Sequence, residues 1–263
     1  MKRILIIVCL VSATTISMAQ DKRERKEAKR EEKRQRTNAI IKQEEEGVLA
    51  YEKQTSAGVQ LRTNGFGAFL ELGRMKSPRF TNLYLLEVSE IFHPKEEKVS
   101  SLDQNYFGSS FKYAKVNNFF QVKFGMGQQY IFGNKGNKNG IAVLGIYQGG
   151  LSLGLLKPYY VNVDDGSNQR VIKYSDKDSV AFVTYPYAAG GLGKGWGEVK
   201  INPGIFAKTA LRFDFGSYNE SITALEIGMS IDAYAKKAEQ LVYSDPRRLF
   251  FQGHIAIVFG NRR

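Results

Sequence analysis

The chain has 263 residues, of which 38 are Lys or Arg and 26 are Asp or Glu, giving a net charge of +12 and a single cysteine, Cys9. With no cysteine after residue 9 and only His93 and His254, disulfide frameworks, thiol nucleophiles and Cys- or His-rich metal sites are excluded, and no cofactor is expected. Gly (26), Tyr (14) and Phe (17) are abundant and Pro (6) is scarce, a composition that membrane β-barrels share with some soluble β proteins.

Residues 1–19 read as a secretory signal. Lys2 and Arg3 form the positive start, Ile4 to Val11 the apolar stretch, and Ser17-Met18-Ala19 a small-residue site with cleavage after Ala19. The apolar stretch is too short to cross a bilayer as a helix. Removing Lys2 and Arg3 with the signal leaves 36 basic and 26 acidic residues, a net charge of +10.

Residues 20–56 form a charged block in which KRERKEAKREEKRQR is followed by IIKQEEE. Opposite charges at i,i+4, such as Arg23 with Glu27, predict a solvated N-terminal helix or spacer in the periplasm. The acids spaced through it would repel phosphates, and export removes it from nucleic acid, so no nucleic-acid partner is expected. Residues 21–46 are instead a candidate contact for a periplasmic or membrane protein, or for lipid phosphates.

From residue 57 the apolar period changes to two. Ile205, Ala207, Thr209, Leu211, Phe213 and Phe215 alternate with Phe206, Lys208, Ala210, Arg212, Asp214 and Gly216. Leu225, Ile227, Met229 and Ile231 alternate with Glu226, Gly228, Ser230 and Asp232, and Phe120, Val122, Phe124 and Met126 with Gln121, Lys123, Gly125 and Gly127. Such alternation predicts strands whose two faces meet different surroundings. The predicted strands are 57–62, 66–74, 79–91, 118–131, 139–156, 203–216, 221–235 and 249–260. After the first connection, long connections alternate with short ones rich in Gly, Asn, Ser or Pro, as in outer-membrane barrels with tight periplasmic turns and long external loops. The fold expected over 57–263 is therefore all-β, an eight-stranded antiparallel transmembrane β-barrel in the outer membrane, in contact with its lipid. A soluble periplasmic β domain is the competing fold. The first strand, at six residues, is shorter than the roughly 9–11 a tilted spanning strand needs. If 57–74 were one strand, residues 182–190 would have to supply another.

Eight-stranded barrels fill their interiors with side chains. In the simplest register Arg212 faces Glu226 and Lys208 lies diagonal to Asp232. A buried network is expected from Lys208, Arg212, Asp214, Glu226 and Asp232, joined by Glu71, Glu87 and Lys123, because an unpaired charge there is costly. A proton or ion path, or a catalytic carboxylate pair, is the functional alternative. Tyr185, Tyr187 and Trp196 mark a loop whose aromatics suit the headgroup level of a membrane. The glycine strings at 133–140 and 191–197 lack the spacing of phosphate or dinucleotide loops and read as turn and loop. His93 opens a long loop and His254 faces inward, and neither belongs to a recognisable triad.

The stretch NNFFQVKFGMGQQYIFGNKGNKNGIAVLGIYQGGLSLGLLKPYYV, beginning at Asn117, resembles the central hairpin of small outer-membrane barrels encoded widely in Bacteroidota. The later stretch GKGWGEVKINPGIFAKTALRFDFGSY is similar to the same group, relatives of the PorT-type barrel associated with type IX secretion. The resemblance covers roughly 57–260 and brings no catalytic motif. It implies a non-enzymatic structural or accessory component of an outer-membrane assembly or secretion machine, using the arm and the long loops as contact surfaces. The alternatives are a narrow channel or ligand-binding barrel, and an outer-membrane lipid hydrolase or protease.

Overall fold

A computed structural model describes residues 29–31, 34, 51–100, 109–135, 140–164, 166, 168–175, 177–191, 193–216 and 220–263. The secretory signal and almost all of the expected charged helix lie outside the described residues.

The strands are β1 (Lys53–Arg62), β2 (Gly65–Ser77), β3 (Phe80–Ile91), β4 (Lys98–Ser100), β5 (Ser110–Lys112), β6 (Asn117–Gly133), β7 (Ala142–Pro158), β8 (Tyr160–Asp164), β9 (Gln169–Lys173), β10 (Pro186–Ala189), β11 (Lys200–Asp214), β12 (Ser221–Ala238) and β13 (Arg247–Arg262). Eight of them close into a barrel in the order β1-β13-β12-β11-β7-β6-β3-β2. Every neighbouring pair in the ring is antiparallel. Closure is made by β1 on β13, in register from Gln54 opposite Arg262 to Arg62 opposite His254. A closed ring leaves no strand edge with unpaired backbone groups, which is what a sheet in hydrocarbon requires.

The alternation read in the sequence divides the two faces. Outward residues such as Leu61 (73% exposed), Met126 (67%), Met229 (67%) and Phe251 (72%) form an uncovered apolar belt, whereas inward Glu71, Glu87, Glu226 and Asp232 are at 0%. A soluble sandwich would cover such a belt with a second sheet. Here the eight-stranded sheet closes on itself, and among the described residues nothing covers the belt, as for a wall facing lipid.

One strand boundary is corrected, and one alternative falls away. The first strand starts at Lys53 rather than 57, so the last residues assigned to the charged spacer belong to the barrel. At ten residues it reaches the spanning length, and its two neighbours in the ring, β2 and β13, have 13 and 16. The split after it is fixed at Gly65, where any Cβ would fall 1.9 Å from the Glu90 carbonyl oxygen. Residues 182–190 supply no barrel strand: a short helix, Ser179–Thr184, precedes β10, which pairs with β8 outside the barrel.

Both ends of the barrel chain meet at one rim, where Lys53 N–H donates to the Arg263 carbonyl and Arg263 N–H returns to that of Lys53 (2.7 and 2.8 Å). The brief β2–β3, β6–β7 and β11–β12 connections share this rim. The opposite rim carries the long β3–β6 and β7–β11 connections, which fold into the β4–β5 hairpin and the β10-β8-β9 sheet. Inside, Phe69, Leu85 and Phe206 lie in one apolar layer, and Phe119, Tyr234 and Phe250 fill the loop end with ring centroids 5.2–5.8 Å apart.

Candidate functional site

The lumen is occupied by a continuous set of ion pairs. Arg212, on β11, faces Glu226 on β12 in register and donates to its Oε2 through Nε (2.9 Å) and Nη2 (2.5 Å). The same Nη2 reaches Glu71 at 2.5 Å on β2, four strands away round the ring and therefore across the lumen. Lys208 lies 2.9 Å from Glu226 and 4.0 Å from Glu87. Lys123, paired in register with Glu87, lies 3.5 Å from it and 2.6 Å from Asp232. Arg62 caps Glu87, and His254 Nε2 lies 3.1 Å from Glu226 Oε1. Arg62, Lys123, Lys208 and Arg212 thus meet Glu71, Glu87, Glu226 and Asp232, four charges of each sign.

Ring faces and amides finish the lining. Lys208 stands 4.7 Å from the Phe69 ring centre and Lys123 5.1 Å from that of Phe206. Gln148 donates to Glu71 at 2.7 Å, and Ser152 shares a hydrogen bond with Tyr234 at 2.7 Å. Ions packed away from water need partners of opposite sign, and the lining supplies them.

Two placements differ from the sequence reading. Lys208 stands diagonal to Asp232 in register, as expected, but the ion partner of Asp232 is Lys123, which reaches it across the lumen while Lys208 is drawn between Glu226 and Glu87. Asp214 stands apart near the terminal rim, with Arg262 at 2.5 Å and Lys135 at 3.9 Å. Arg62, Arg262 and Lys135 were missed. Arg62 was within reach, since it shares the inward phase of Gln60, but the cross-lumen approach that makes it a partner of Glu87 is invisible in one strand. Lys135 and Arg262 lie at or beyond the ends of the predicted strands, where alternation gives no phase.

The loop rim is knitted into a cap. Val116 N–H donates to the Gln240 carbonyl (2.8 Å), Val242 N–H to that of Ala114 (3.0 Å), Tyr159 N–H to that of Val116 (2.8 Å) and Gly190 N–H to that of Tyr160 (2.7 Å). Glu96 bridges Lys112 and the buried Lys115, the latter at 2.6 Å. Burial pushes the Glu96 carboxyl up, but its links to Lys112 and Lys115 outweigh this and leave it below the usual 4.5. Burial also brings the Lys115 ammonium down to about 8, despite Glu96.

His93 meets a serine in this cap, with Nε2 3.0 Å from the Ser244 hydroxyl. Its Nδ1 accepts the Lys95 N–H at 3.2 Å, so in the neutral ring Nε2 carries the proton and donates to Ser244. Burial, with Arg247 and Lys95 nearby, holds the ring below its usual 6.5 and hence neutral. An imidazole so oriented cannot take the Ser244 proton at Nε2, and the pair is a structural tie rather than a base and nucleophile.

The aromatic loop residues separate. Tyr185 follows the short helix and Tyr187 lies in β10, both in the cap. Trp196 stacks on the outward Phe120 (centroids 5.8 Å, 22°), and Lys157 Nζ lies 4.7 Å from the Trp196 ring centre. Trp196 therefore marks the upper border of the apolar belt. The glycine string at 133–140 begins at the last residue of β6 and precedes β7, that at 191–197 follows β10 and precedes β11, and the flanking barrel strands are antiparallel rather than parts of a βαβ unit. Among the described residues no group of three or more His, Cys, Asp or Glu is placed to hold a metal ion.

The closed ring, bare apolar belt and filled lumen define the class: an eight-stranded antiparallel membrane β-barrel of the outer-membrane type. No family model and no curated protein matches the chain. Among solved structures it is similar to Neisserial surface protein A, at 10% identity and a TM-score of 0.36 over 80% of this chain and 96% of that one. It is similar also to Ail, the attachment invasion locus protein of Yersinia pestis, in complex with the heparin analogue sucrose octasulfate (10% identity, TM-score 0.38, 81% and 100% covered). A third likeness is to the N-terminal β-barrel domain of Pseudomonas aeruginosa OprF (7% identity, TM-score 0.31, 80% and 99% covered). The fold assignment rests on the β1–β13 closure and the belt.

Proposed function

We propose that this chain is a non-conducting outer-membrane anchor, exported with cleavage after Ala19, that serves as a non-enzymatic structural or accessory component of an outer-membrane assembly or secretion machine. The observation that supports it best is the lumen, where four cations and four anions neutralise one another and aromatic rings fill the loop end. Charges so paired leave no ring of a single sign to select ions. What remains for recognition is the folded cap and the charged segment 21–46. The resemblance of residues 57–260 to PorT-type barrels points the same way, towards a protein partner in the periplasm or membrane. The hydrolase reading has no support in the His93–Ser244 pair, whose proton points the wrong way.

Two measurements test this reading. Mild crosslinking in outer membranes followed by purification should recover a stoichiometric protein partner with the full chain and lose it when residues 21–46 are deleted. Reconstitution in planar bilayers should give no unitary conductance. A chain that purifies alone in both forms and opens discrete, ion-selective steps would establish the narrow-channel reading instead.

A further inference from the structure

We propose that a lysine-lined cleft on the loop rim, above β3 and β7, binds the phosphate-monoester headgroup of a lipid in the leaflet on that side. This rests on the membrane placement argued above and names a ligand class and site within it. The cleft measures about 360 Å³, and Lys98, Lys112, Lys157 and Lys194 line it, brought together from β4, β5, β7 and the loop before Trp196. Among its described lining residues the one acid is Glu90, so the wall carries a net charge of +3. That excess suits a dianionic phosphate better than a singly charged diester.

The height of the cleft gives the source of the phosphate. Lys157 and Trp196 are in contact, and Trp196 stacks on Phe120, whose side chain projects from the barrel into the apolar belt. Lysines directly above an aromatic border occupy the level at which a bilayer places its headgroups. Below, an apolar trough of about 820 Å³ runs along the outer wall, lined by Phe120 and Val88 among others. Glu90 lines both the trough and the cleft, so the two are contiguous. A charged chamber over an apolar trough matches a phosphate head on an acyl chain. A free anion would have use for the chamber only.

Trp196 is the only tryptophan in the chain and stands against Lys157, so its emission reports on the site. The mature protein, folded in zwitterionic micelles, is titrated with short-chain phosphatidic acid, with short-chain phosphatidylglycerol and with inorganic phosphate. Phosphatidic acid should change Trp196 emission saturably, at a concentration about tenfold or more below that for phosphatidylglycerol, with no response to inorganic phosphate in that range. The double variant Lys98→Gln/Lys194→Gln, both exposed positions, should raise the phosphatidic acid midpoint about tenfold, and Lys157→Gln should do so independently. Equal response to both lipids, or unshifted variants, would reduce the effect to bulk charge and overturn the site. Saturation by inorganic phosphate at the same concentration would overturn the lipid as its ligand. A folded, heat-modifiable band without selectivity sinks the site alone, whereas failure to fold in micelles sinks the barrel beneath it.

Discussion

Arg212 and Glu71 stand four strands apart in the ring, and a single 2.5 Å contact across the lumen joins them. The other carboxylate on Arg212, Glu226, also has Lys208 and His254, whereas the further partners of Glu71 are the neutral Gln148 and Ser56. Replacing Arg212→Met therefore strands Glu71 rather than Glu226. A loss of about 3–5 kcal/mol is expected, as for an ion pair broken inside a protein. Adding Glu71→Gln keeps the neutral hydrogen bonds and removes the stranded charge, so it should return more than half of that loss. Urea unfolding from lipid vesicles, followed by the heat-modifiable band, measures both. If the second substitution restored nothing, the cross-lumen pairing would be wrong.

Gly150 and Gly149 make an internal contrast on β7. A Cβ on inward Gly150 would lie 2.2 Å from the Phe124 carbonyl oxygen, so the β6–β7 contact itself must open. A Cβ on Gly149 would meet only the Phe206 carbonyl, at 3.4 Å. Gly150→Val should destabilise by about 1–3 kcal/mol, the usual range for overpacking. Gly149→Ala should be close to neutral in the same unfolding assay, and equal effects at the two positions would refute the crowding argument.

Acidification should loosen the cap before the barrel. His93 is held neutral below its usual 6.5, so the unfolded segment takes up a proton first as pH falls through that value, and stability declines. Glu96 is held charged below its usual 4.5, so a second decline begins as pH falls through 4.5. Both have the same sign. Hydrogen exchange corrected for intrinsic rates should show residues 92–100 and 109–116 losing protection from pH 7 downward while β6 and β7 keep theirs. Glu96→Gln should remove the lower step and leave the upper. A cap better protected at pH 4 than at pH 7 would reverse the assignment.

Trp196 should lie at headgroup depth. Quenchers placed near the lipid headgroup should reduce its emission more than quenchers at the acyl-chain ends. Stronger deep quenching would lower the border of the belt and move the lysine cleft into hydrocarbon.

Much of the barrel was legible in the chain itself. Alternation such as Ile205–Lys208–Leu211–Arg212 sets which side chains face lipid and which face inward, because a strand has only two faces and a period of two. Loop lengths placed the long connections on one rim, since antiparallel strands must return the chain to alternate ends. The register of one hairpin was legible too, placing Arg212 opposite Glu226. Beyond the hairpin the sequence is silent. Lys123 rather than Lys208 on Asp232, Arg62 on Glu87 and Arg212 on Glu71 are contacts across a closed ring, and their partners depend on the diameter and stagger that closure imposes. The β10-β8-β9 sheet and the cap ties between Val116 and Gln240 likewise arise from loops distant in sequence. Periodicity tells a residue which way to point; only the tertiary fold decides what it finds there.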